Sequence, residues 1–173
     1  MLGYTVFSDT TKNLPIAIGR YMKKFGFLIG ILLIAVALTA CPPTQAASET
    51  LTFVANLDGA SEVTTTGNAS QATGSVTAVL KDGKLTVDGT YTGLAGAPTG
   101  AHIHGPAAAN ANANVVFPLT TTEGAAPSAG KLSGTFDISA SQIAELKDGM
   151  YYVNVHTAKY ASGEIRGQLT KKQ

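Results

Sequence analysis

The feature that most constrains this chain is a pair of alternating runs joined by two residues. Residues 75–81 carry Val76, Ala78 and Leu80 at every second position, and residues 84–94 carry Leu85, Val87, Gly89 and Tyr91 in the same way. A period of two belongs to a strand with one buried face. Asp82-Gly83 lies between the runs. Both residues tolerate φ > 0, which a two-residue hairpin turn demands.

The same pattern recurs along the chain. Residues 51–57 alternate with Leu51, Phe53, Ala55 and Leu57 on one side, before Asp58-Gly59 bends the chain. Residues 61–74, rich in Ser, Thr, Gly and Asn, read as an edge segment or loop. Further strands are expected at the His-x-His segment, 115–119, 131–138, 151–156 and 163–169, with an exposed Ala/Asn-rich connector after Pro106 and a loop at 120–130. Ser139-Ala-Ser-Gln142 matches a capping box. It predicts one short helix ending at Lys147, with Gly149 as its stop. About eight short strands at near-regular spacing predict an all-β, antiparallel sandwich or barrel.

The N-terminal part reads as an address. Met22-Lys23-Lys24 precedes an apolar run over residues 25–40, the layout of a secretory signal. That run is shorter than the roughly 20 residues that span a bilayer. It ends Leu38-Thr39-Ala40-Cys41, which resembles a lipoprotein lipobox, so Cys41 is the expected lipidation site and residues 22–41 the signal peptide. Residues 1–21 fit no signal layout and read as a start-site extension, and residues 42–50 read as a tether. The expected location is the extracytoplasmic side of a cell envelope, in the periplasm, on the outer membrane or at the cell surface, with the membrane itself as one partner through the lipid.

Charge excludes one class of partner. Residues 42–173 carry 8 basic and 10 acidic side chains, a net −2 with neutral histidines, and no basic stripe. Nucleic-acid binding is not expected. With a single cysteine there is no intrachain disulfide.

All three histidines fall in two motifs. The first is Thr-Gly-Ala-His-Ile-His-Gly-Pro at 99–106 and the second Tyr-Tyr-Val-Asn-Val-His-Thr at 151–157. Strand geometry puts His102 and His104 on one face, and Tyr152, Asn154 and His156 on one face. If the strands lie together, the three imidazoles form a nitrogen set suited to copper or zinc. Tyr152, Asn154 or Glu164 would then add an oxygen ligand or support the ligands from behind. The competing reading is a polar tie in which the histidines only hydrogen-bond neighbouring groups. Glu164 and Arg166 share a strand face and read as an exposed ion pair or a polar contact surface. No Gly-x-Ser-x-Gly elbow or phosphate-cradling loop is present, so catalysis is not expected.

Taken together the motifs resemble the CHRD domain, named from chordin. They are Leu57-Asp-Gly-Ala-Ser-Glu-Val63, Gly93-Leu94-Ala95-Gly96, His-Ile-His-Gly-Pro at 102–106, Tyr-Val-Asn-Val-His-Thr at 152–157 and Gly-Glu-Ile-Arg-Gly-Gln-Leu at 163–169. The resemblance covers residues 51–170. Thr64, Thr65 and Thr66 stand where the family usually has prolines. The resemblance implies an immunoglobulin-like, Greek-key β-sandwich in an extracytoplasmic protein, here a bacterial lipoprotein. For bacterial members it implies no settled activity. The expected function is a non-enzymatic binding or structural module at the envelope, with an envelope protein or a polysaccharide as partner, and metal binding is the alternative. A fainter similarity links His102 and His104 to the His-x-His strand of copper–zinc superoxide dismutase. The further ligands and the disulfide of that family are missing here.

Overall fold

The computed structural model describes residues 49–64 and 68–173. The expected extension, signal segment, Cys41 and residues 42–48 of the tether lie outside them. Among the described residues the elements are β1 Thr50–Asp58, β2 Thr73–Lys81, β3 Lys84–Thr92, β4 Pro98–His104, β5 Val115–Glu123, β6 Gly130–Asp137, α1 Ala140–Lys147, β7 Tyr152–Thr157, β8 Ile165–Gln168 and β9 Thr170–Lys171.

Local chemistry accounts for the turns. At the β2–β3 hairpin Asp82 has φ 52° and Gly83 φ 76°, the paired left-handed conformation expected of Asp-Gly. The Ser139 side chain accepts from the Gln142 N–H and the Gln142 side chain accepts from the Ser139 N–H, closing the capping box that starts α1. Gly149 takes φ 70° just past the helix. β5 runs further than expected, and the loop expected over 120–130 shrinks to 124–129. Thr120, Thr121 and Thr122 pair with Ser133, Leu132 and Lys131. Their branched side chains favour the ladder over a loop.

All pairings are antiparallel. The strands follow the order β1-β2-β3-β6-β5-β4-β7-β8 and return to β1, so the sheet closes into an eight-strand barrel. β9 continues past Leu169 and also pairs with β1. This corrects the immunoglobulin-like sandwich, which has two separate sheets. Here β1 is hydrogen-bonded on both sides, and closure removes the free edges that a sandwich leaves. The expected Greek key is present: β7 returns beside β4, the first of the consecutive strands β4, β5 and β6. The ring is uneven. β1 matches β2 over its full length, from Thr50↔Lys81 to Asp58↔Thr73, but meets β8 only at Asp58↔Arg166 and β9 only at Phe53↔Lys171 and Val54↔Thr170.

The alternating apolar residues fill the interior. Phe53, Leu57, Ala78, Leu85, Val87, Ile103, Leu132, Val153, Val155 and Ile165 are all buried in one cluster, and Leu146 of α1 joins it. Each large side chain so buried contributes roughly 1.5–3 kcal/mol.

Candidate metal centre

The outward face of β4, β7 and β8 carries the polar residues. The register sets Gly100 opposite His156, His102 opposite Asn154 and His104 opposite Tyr152. The rows continue onto β8 with Asn154 opposite Arg166 and Tyr152 opposite Gln168. Ala101, Ile103, Val153 and Val155 point the other way, into the core. His156 is therefore the diagonal neighbour of His102, within reach of a ring. Gly100 leaves the room for this meeting, because a Cβ there would lie 3.1 Å from His102 Cε1.

The three imidazoles do converge. Ring centroids are 5.1 Å apart for His102 and His156, 5.6 Å for His102 and His104, and 6.2 Å for His104 and His156. One nitrogen from each ring lies within 4.8 Å of the others. His104 Nδ1 is 2.9 Å from the Ala113 carbonyl and His156 Nδ1 is 3.0 Å from the Ala161 carbonyl. A carbonyl only accepts, so each Nδ1 carries a hydrogen; in a neutral ring that leaves the lone pair on Nε2. Those two Nε2 atoms and His102 Nδ1 are buried with no hydrogen-bond partner among the described residues. Burial pushes the pKa of His102 below its ordinary value, and the neighbouring His156 and His104 add to this. Burial also lowers that of His156, helped by His104 and opposed by the Ala161 carbonyl. Both shifts favour the neutral ring, the form that binds a metal.

The residue set fits a metal ion. Bonds of about 2.0–2.1 Å to a tetrahedral ion put the nitrogens roughly 3.3 Å apart, so closing the site takes about an ångström of ring movement. The Nδ1–H···O=C bonds are the kind that orient metal-ligating histidines.

Tyr152 stands behind His104. Its ring stacks on His104 at 4.9 Å with an interplanar angle of 4°, and its hydroxyl reaches the same Ala113 carbonyl. Asn154 sits between His102 and Arg166, 3 % exposed, with no partner for its Oδ1 among the described residues. Arg166 caps the far face of Tyr152, its guanidinium carbon 3.4 Å from the ring centre.

Glu164 and Arg166 correct the reading of an exposed pair. They are 0 % and 1 % exposed and do not contact each other as an ion pair. Glu164 accepts from Ser70 Oγ, the Ala95 N–H and Thr157 Oγ1. Arg166 donates to Asn112 Oδ1 and the Ala111 and Ala108 carbonyls. Loops that are distant in sequence cover both side chains. The Ala/Asn-rich connector is exposed as expected, but its inner side holds Arg166 and His104.

The family comparison agrees with the site motifs. The CHRD domain family model matches residues 53–169. This chain belongs to the CHRD domain family. Searches of curated proteins and of solved structures return no match. The match takes in every CHRD motif that builds the site, from the Glu-Val segment to Gly-Gln-Leu.

Sequence reasoning missed Glu62, Gly100 and Asn112. Among the described residues Glu62 Oε1 is buried without a partner, and burial pushes the carboxyl up to about 7, against the opposing pull of Arg166 and a hydrogen bond from Asn154. Gly163 admits it: φ is 136° there, and any Cβ would overlap the Glu62 carboxylate. The glycine between His156 and Glu164 was the available signal.

Proposed function

We propose that this CHRD-domain protein is an envelope-anchored, non-enzymatic metal-binding module, in which His102, His104 and His156 hold copper or zinc. The supporting observations are that one nitrogen of each of the three rings lies within 4.8 Å of the others, and that each ring has a buried nitrogen with no hydrogen-bond partner among the described residues. A purely structural tie leaves such atoms paired, because an unpaired buried polar group costs about 1–3 kcal/mol. Copper is favoured over zinc for nitrogen donors. A bound copper ion would supply one-electron chemistry. A lipid on Cys41 would keep the domain at the extracytoplasmic membrane surface.

The full-length protein, stripped of metal, is titrated with Cu and Zn by calorimetry and melted with and without each ion. Saturation at 100 times Kd should add about 2.7 kcal/mol and raise Tm by roughly 10 °C. Binding no tighter than that of the triple His→Ala variant overturns the reading. For the anchor, palmitate labelling should vanish in Cys41→Ser.

A second reading, docking to an envelope polysaccharide or protein, finds support in a hollow of about 570 Å³ on the outer face of β2, β3 and β6. Ser75, Thr77, Thr90 and Ser133 line it with hydroxyls, beside Asp88 and Lys131. That binding should survive the His variants.

A further inference from the structure

We propose that the three-histidine site selects a singly charged ion, reduced copper, over doubly charged copper or zinc. The inference rests on the metal reading and adds the charge state of the ion.

The donor set brings no negative charge. Three imidazoles make up the whole cluster, and no carboxylate joins them among the described residues. A fixed positive charge stands behind them. Arg166 is 1 % exposed, and the Tyr152 ring is sandwiched between its guanidinium and His104. The two spacings put that charge at most about 8 Å from the His104 ring, within effective Coulomb range in a protein interior. The hydrogen-bond acceptors of Arg166 are neutral: Asn112 Oδ1 at 2.9 Å, the Ala111 carbonyl at 2.8 Å and the Ala108 carbonyl at 3.4 Å. Among the described residues no carboxylate lies within 4.0 Å of it. Glu62, the acid whose charge does reach Arg166, is itself pushed toward neutrality by burial. Repulsion between Arg166 and a bound ion scales with the ion's charge, so a doubly charged ion bears twice that of a singly charged one.

The test uses the full-length protein, stripped of metal and titrated with Cu(I) under anaerobic conditions against a chromophoric chelator, and with Ag(I), Cu(II) and Zn(II). Cu(I) and Ag(I) should bind at least about tenfold tighter than Zn(II). Arg166→Gln should lower the ratio of Cu(I) to Cu(II) affinity about tenfold, a fall of about 59 mV in potential. Arg166→Lys, which keeps the charge, should restore most of that ratio. An unchanged ratio in Arg166→Gln, or Zn(II) held tighter than both Cu(I) and Ag(I), overturns the proposal. If circular dichroism shows that Arg166→Gln does not fold, Glu62→Gln decides: at pH 8 it should raise the ratio several-fold, and no change overturns the proposal. Metal binding without this charge preference defeats this inference alone. Failure to bind any of the four ions defeats the metal reading with it.

Discussion

The two walls of the barrel are built from the same kind of strand and end up in different environments. In β2 and β3 burial alternates, and the outer residues Ser75, Thr77, Thr86 and Asp88 meet solvent. In β7 and β8 almost every residue is buried, on both faces. The inner face of that wall is hydrocarbon. The outer face carries His104, Asn154, Arg166 and Glu164, roofed by the connections around Ser70, Ala95 and Asn112. One wall has a single interior; the other has a second, polar one. Polar groups in a second interior must be satisfied by partners within the fold itself or by a ligand.

The comparison is most sharply tested at Glu164. Glu164→Ala removes the acceptor for three donors at once. It should cost about 3–5 kcal/mol in urea unfolding, whereas Thr77→Ala on the open wall should stay within about 0.5 kcal/mol. Comparable losses at the two positions would erase the distinction.

Gly100→Ala comes next. The added methyl crowds His102 Cε1 at 3.1 Å while leaving the ladder intact. Copper affinity should fall about three- to tenfold, with unfolding free energy unchanged within about 0.5 kcal/mol. Calorimetry and denaturation on the same samples separate the two effects.

Glu62→Gln gives a smaller, pH-dependent change. The folded carboxyl has its pKa raised from 4.5 to about 7. Below the lower value both folded and unfolded states hold the proton and there is no penalty. The penalty grows as pH rises between the two values and is complete above the upper one. Replacement by Gln should therefore stabilise the domain by about 1 kcal/mol at pH 8, discounted for partial exposure, and do nothing at pH 4.

Lys84→Ala is the smallest. Its pair with Asp137 spans 2.6 Å, but the side chains are 53 % and 87 % exposed. The loss should not exceed about 0.5 kcal/mol, and should shrink further in 1 M salt.

Legibility in the sequence followed the same division. The open wall could be read from local pattern: the alternation of β2 and β3, the Asp82-Gly83 turn and the Ser139 cap all depend on residues a few positions apart. The meeting of His102, His104 and His156 followed from strand parity once β4 and β7 were neighbours. Closure into a barrel did not, because it depends on Asp58 reaching Arg166 across most of the domain. Nor did the burial of Glu164 and Arg166, whose covering groups Ser70 and Asn112 lie in segments without periodicity. Charged residues in a strand read as exposed until something distant in the chain is known to cover them.

The unevenness of the ring has a kinetic side. A closed sheet has to part somewhere before it can unravel, and its thinnest stitching is the lone Asp58↔Arg166 rung with the short β9 contact beyond it. That rung belongs to the arginine that backs Tyr152 and His104. The sparsest junction of the ring and the brace behind the imidazoles thus share one residue.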